Sequence, residues 1–132
     1  MRHPGLSKWE KKLKNLINDL DDFLEDNYGD KFQLHPARAK RGKTSNKARD
    51  GFFDIVANFS LGPGSEFGRG YVVDLHLSTL DEIPLEMIEE IKKVALKKLR
   101  ERLPVYFPPK KLKADLDGNV IKIHGDLGLG EV

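Results

Sequence analysis

The sequence predicts an α+β fold, a two-layer sandwich of order α-β-β-α-β-β with two helices on one face of an antiparallel sheet. Three observations predict it. Apolar residues recur at helical spacing over 7–28 and again over 81–103. Period-two alternation fills 51–78, broken in the middle by a glycine-rich connection. A second alternating stretch, 111–124, contains Asp117-Gly118, a dipeptide typical of tight hairpin turns.

The first helix is expected from Ser7 to about Tyr28. Trp9, Leu13, Leu16, Leu20 and Phe23 are spaced by four and three, and Ile17 and Leu24 widen the stripe to core-facing width. Ser7 and Glu10 match a capping-box spacing, and Gly29 is a natural stop. Lys8, Lys11, Lys12 and Lys14 lie toward its start, whereas Asp19, Asp21, Asp22, Glu25 and Asp26 lie toward its end. Both groups oppose the helix dipole, at about 0.3–1 kcal/mol per exposed terminal charge. Packing must therefore hold this helix, and its acidic end invites a basic neighbour.

The next segment is basic. Between Lys31 and Arg49 fall seven cationic side chains and none of the chain's 21 acidic ones. Residues 29–50 are expected to form a loop, and long loops of this kind are functional or disordered. In the functional reading, Arg38, Lys40, Arg41, Lys43, Lys47 and Arg49 contact phosphates. The other readings are a mobile, solvated loop and a loop folded back onto the acidic helix end.

In the central hairpin, Phe53, Ile55, Ala57, Phe59 and Leu61 share one face, and Phe52, Asp54, Val56, Asn58 and Ser60 the other. The second strand repeats the pattern, with Tyr71, Val73, Leu75 and Leu77 facing inward. The connection from Gly62 to Gly70 holds four glycines. It reads as a long hairpin loop or, with Arg69, as a backbone nest for an anion. The second helix is expected over Asp81 to Leu103, with Asp81 as N-cap, Pro84 in the first turn and Pro104 ending it. In the last hairpin, an Asp117-Gly118 loop pairs Leu116 with Asn119, Ala114 with Ile121, Leu112 with Ile123, and Lys113 with Lys122. Residues 126–132 read as a loose tail. Together, 1–132 form a single domain.

The 132 residues include no cysteine, which excludes disulfides and cysteine-based zinc sites. No apolar run is long enough for a membrane span, and the charged N-terminus does not resemble a secretory leader. A cytoplasmic protein that acts away from membranes is expected. Phosphate-loop, H-E-x-x-H and nucleophile-elbow motifs are absent, and no cofactor is expected.

The leading functional expectation is a non-enzymatic binding module whose loop 35–49, with Arg69, binds nucleic acid or an acidic protein. A second expectation uses the outer sheet face. In one register Asp54 lies opposite His76; shifted by two, Asn58 lies opposite Asp74. Two carboxylates and an imidazole there suit a divalent metal and an activated water. The Asp54…Asp74-x-His76 pattern resembles the metal-dependent nuclease fold, whose site is an Asp followed by a D/E-x-K pair. That resemblance implies phosphodiester hydrolysis at these residues. The pattern departs from it in having His76 in place of lysine, and two strands between the helices where that fold has three. A third expectation is a homo-oligomeric interaction domain, a homodimer by default, formed through the first-helix stripe and the apolar outer positions Phe52, Val56 and Val72.

Overall fold

A computed structural model of the chain describes residues 4–44, 50–62, 67–108 and 111–125. The element order is α1 (Pro4–Tyr28), β1 (Phe53–Ser60), β2 (Gly70–Leu77), α2 (Leu85–Tyr106), β3 (Leu112–Asp117) and β4 (Val120–Gly125). The strands form one antiparallel sheet in the order β1-β2-β4-β3. Both helices pack on one face of it, giving the expected α+β sandwich. The expected basic segment 45–49, the connection 63–66 and the tail 126–132 lie outside the described residues.

The core lies between the layers. Trp9, Leu13, Leu16, Ile17, Leu20, Leu24 and Tyr28 of α1 meet Phe53, Ile55, Val73, Ile121, Ile123 and Ala114 of the sheet. Ile91, Ala95, Leu96, Leu99 and Leu103 of α2 complete it. Burying one large apolar side chain is worth about 1.5–3 kcal/mol, so the α1 stripe outweighs its unfavourable charges.

Helix boundaries depart from expectation where proline intervenes. Helix α1 starts at Pro4, which suits the first helical position because it has no N–H to leave unsatisfied. Ser7 therefore lies inside the helix and its spacing to Glu10 is not a capping box. Helix α2 starts at Leu85, with Pro84 as an N-cap that makes no side-chain cap bond. Pro84 disfavours helical backbone at Ile83, which puts Asp81 out of capping register. Asp81 instead accepts the backbone N–H of Gln33 at 2.9 Å. Pro104 does not end α2, which continues to Tyr106. The continuation buries Phe107 against Trp9, with ring centroids 4.8 Å apart, and lets Tyr106 donate its hydroxyl to Asp19. These contacts offset a lost helical hydrogen bond.

Two sheet expectations are corrected. Phe52 is not an exposed outer-face residue: it is 1% exposed, just before β1, and stacks on Phe32 while meeting Phe53 edge-on. Its neighbours are aromatic, so local packing overrides the alternation. The last hairpin turns at Gly118-Asn119 instead of Asp117-Gly118, because Asp117 pairs with Val120. Gly118 alone takes a positive φ, 64°, as a turn with glycine at its first central position requires. The shift pairs Leu116 with Ile121, Ala114 with Ile123 and Lys122 with Asp115. It thereby removes the unfavourable Lys113–Lys122 pairing.

Candidate nucleic-acid interface

The basic loop is built around its own arginines. Arg38 donates from Nε to the Gly51 carbonyl at 3.0 Å, and from Nη2 to the carbonyls of Asp50 at 3.1 Å and Phe53 at 3.2 Å. Its side chain is 16% exposed, and its Nη1 lies 4.0 Å from Asp54. Arg41 bridges Asp26 at 2.9 Å and Asp22 at 3.2 Å, at the acidic end of α1. The Asp26 carboxylate, assisted by Asp22, raises the Arg41 pKa above its ordinary value. Of the alternatives the sequence left open, folding back onto α1 is the one these contacts describe.

Two buried carboxylates hold the loop in place. Asp50 accepts from the backbone N–H groups of Gly42 and Thr44 and from the Thr44 hydroxyl. Glu25 accepts the Phe53 N–H at 2.9 Å. Gly51, with φ 77°, lets the backbone pass Glu25 at a distance no side chain would fit. Lys40 and Lys43 are exposed at the loop surface, as is Arg69 in the β1–β2 connection. Lys47 and Arg49 lie outside the described residues.

The outer-face candidates are only partly brought together. Asp54 does pair with His76 across β1 and β2, and His76 Nε2 lies 3.3 Å from Asp74. Asp54 faces Arg38 as well. Among the described residues, no group of three or more His, Asp or Glu side chains is placed to hold a metal ion.

A different polar cluster lies on the same face, at β3 and β4. His124 Nε2 is 2.7 Å from Asp115, whose other oxygen accepts from Arg100 at 2.8 Å. Phe67 stacks on the His124 ring at 4.7 Å. Hydrogen bonding from His124, then from Arg100, holds the Asp115 carboxyl below its usual pKa. Lys122, two residues before His124 on β4, is 1% exposed. The sequence signal for this cluster was the alternation of Lys113, Asp115, Lys122 and His124, which becomes readable once the hairpin register is right.

A second basic region lies at the opposite end of α1 from the loop. Trp9 stacks on Tyr71 at 4.8 Å and on Phe107, which places the start of α1 beside the starts of β2 and β3. Lys8, Lys11, Lys12 and Lys14 are exposed there, and Arg69 and Lys111, next to the starts of β2 and β3, are exposed as well. Lys12 Nζ lies 6.0 Å from the Phe107 ring. Lys8, Lys11 and Lys14 make no hydrogen bond or ion pair among the described residues. By contrast, Asp19 and Asp115 at the margin are held by Arg102 and by Arg100 with His124.

A family model matches residues 4–125, from the first residue of α1 to the last of β4. The chain belongs to that family. The family carries the description "Uncharacterised protein". A relative of this chain in Borreliella burgdorferi, likewise described as "Uncharacterized protein", is 39% identical over 119 residues. That similarity covers 90% of this chain and 93% of the relative. No solved structure matches the chain. The family match thus takes in the whole helix–sheet unit, including the basic loop and both ends of α1. Among the described residues, no helix is long and apolar enough to cross a membrane.

Proposed function

We propose that the protein is a non-catalytic module that binds nucleic acid through the basic end of α1. The observation that carries this reading is the exposed run Lys8, Lys11, Lys12 and Lys14, in which Lys8, Lys11 and Lys14 have no partner among the described residues. Like charges three or four apart on a helix are destabilising by roughly 0.2–0.5 kcal/mol per pair. A polyanion would relieve that repulsion. The run spans about 9 Å of helix axis at 1.5 Å per residue, a length that suits successive phosphates better than one small anion. Arg69 and Lys111, just before β2 and β3, add exposed cations at the same end of the fold.

The loop contributes less in this reading. Arg38 and Arg41 hold backbone and acidic groups of the protein itself, which leaves Lys31, Lys40 and Lys43 as the loop's outward cations among the described residues. Fluorescence anisotropy with labelled single-stranded RNA and duplex DNA, over a series of salt concentrations, tests the proposal. Binding should weaken linearly in log–log form, with roughly 0.7–0.9 of slope for each phosphate neutralised. Absence of binding at low salt with both probes would refute the nucleic-acid reading.

A further inference from the structure

The sheet has two edges, and they are treated differently. The β3 edge carries Lys113, Asp115 and Asp117 along its six residues, and Arg100 Nε donates to the Ala114 carbonyl at 2.8 Å. Charge and a capped carbonyl both discourage further strand pairing there. The β1 edge carries one charge in eight residues, Asp54, with no proline and no lysine.

Which β1 backbone groups remain free follows from the ladder. Ser78 donates to the Phe52 carbonyl, so even-numbered residues of β1 face β2 and odd-numbered ones face outward. Of the outward groups, those of Phe53 are capped: Glu25 accepts its N–H and Arg38 donates to its carbonyl. Ile55, Ala57 and Phe59 remain, and none has a hydrogen bond on that side among the described residues. This free stretch is symmetric about Ala57. A groove of about 250 Å³ runs along it, bordered by Ile55, Val56 and Ala57 and by an α1 wall in which Leu13 and Ile17 are interleaved with Glu10, Lys14, Asn18 and Asp21. Phe59, 50% exposed, lies at its end.

We infer that this edge pairs with the same edge of a second copy of the chain, antiparallel, across a two-fold axis through Ala57. In that register Ile55 faces Phe59 of the other copy and Ala57 faces Ala57 on the helix side. On the outer side, Val56 faces Asn58 and Asp54 faces Ser60. Apolar residues meet apolar ones, the single carboxylate meets a hydroxyl, and no like charges oppose each other. Every free N–H and C=O of the stretch gains a partner, and Phe53 keeps its caps. The self-register brings no two charges together and sets Asp54 against Ser60, and on that ground we take a second copy as the occupant. The inference does not depend on the nucleic-acid reading.

Sedimentation equilibrium of the full chain, with hydrogen exchange of the amides, tests it. The expected mass is twice the 15.0 kDa of one chain. The Ile55, Ala57 and Phe59 amides should exchange slowly, and faster on dilution. Phe59→Lys should yield a monomer with unchanged helical circular dichroism. Ala57→Pro should do the same, because proline is tolerated where a strand N–H faces solvent. A monomer at the highest soluble concentration would overturn the inference. So would a dimer that survives Phe59→Lys, a folded variant whichever way Ala57→Pro behaves.

Discussion

Arg41 and Lys11 lie at opposite ends of the same helix, and their surroundings differ. Arg41 is held between Asp22 and Asp26, and the loop around it closes over two buried carboxylates, Asp50 and Glu25. Lys11 stands among Lys8, Lys12 and Lys14 with no carboxylate bonded to it among the described residues. The difference teaches that a run of basic residues in a chain is not by itself a binding surface. The denser run, around residue 40, satisfies the acidic end of α1. There the dipole argument applies in full, since Glu25 and Asp26 lie in the last turn. At the other end the lysines lie beyond the first turn, where the dipole term fades and their mutual repulsion is the larger effect.

The comparison breaks most readily at the loop's anchor. Gly51→Ala forces a side chain into a position with φ 77°, with its Cβ 2.4 Å from a Glu25 oxygen. Left-handed strain of about 1–2 kcal/mol and disruption of a buried hydrogen bond worth about 1–3 kcal/mol predict a loss near 3 kcal/mol, read by urea unfolding. Next, Arg38→Met should cost about 2 kcal/mol, because it leaves three carbonyls without a charged donor. Lys40→Met, two residues away and exposed, should change stability by less than about 0.5 kcal/mol. Equal effects at 38 and 40 would contradict a structural role for the loop's arginine.

At the margin of the basic end, Asp115 has a lowered pKa, so its contribution is present above the unfolded carboxyl value, 3.8, and is lost as pH falls through the folded one. Asp115→Asn should therefore flatten the acid side of the stability profile. An unchanged acid limb would show that His124 and Arg100 do not hold this carboxylate in solution. One small effect is a gain. Lys11→Glu replaces two like-charge neighbours, Lys8 and Lys14, by attractive ones and should stabilise the fold by about 0.5 kcal/mol while weakening nucleic-acid binding. Stability and binding moving in the same direction would sever the proposed link between them.

Much of this fold was legible in the sequence because the burial patterns are strong. Trp9 to Leu24 and Ile91 to Leu103 read directly as helix stripes, and Ile55 and Val73 as inward strand residues. What was not legible depended on tertiary partners. The end of α2 passes Pro104 because Phe107 finds Trp9. The last hairpin takes its register from Gly118 and from the Lys122–Asp115 pairing, and Asp-Gly alone pointed one residue earlier. The roles of Arg38 and Arg41 could not be assigned from charge, since local sequence does not show which carbonyls and carboxylates the loop will meet. The lysines of α1 were visible from the start, but their isolation from acidic partners became visible only in the fold.

The most direct test is a side-by-side binding measurement on two variants, Lys8→Ala/Lys11→Ala/Lys12→Ala and Lys40→Ala/Lys43→Ala, with the same labelled single-stranded RNA and the same salt series. The account predicts that the helix-end variant loses affinity and about two to three of log–log salt slope, at roughly 0.7 per phosphate contact. The loop variant should keep most of both. Loss confined to the loop variant would contradict the account and return the interface to residues 35–49.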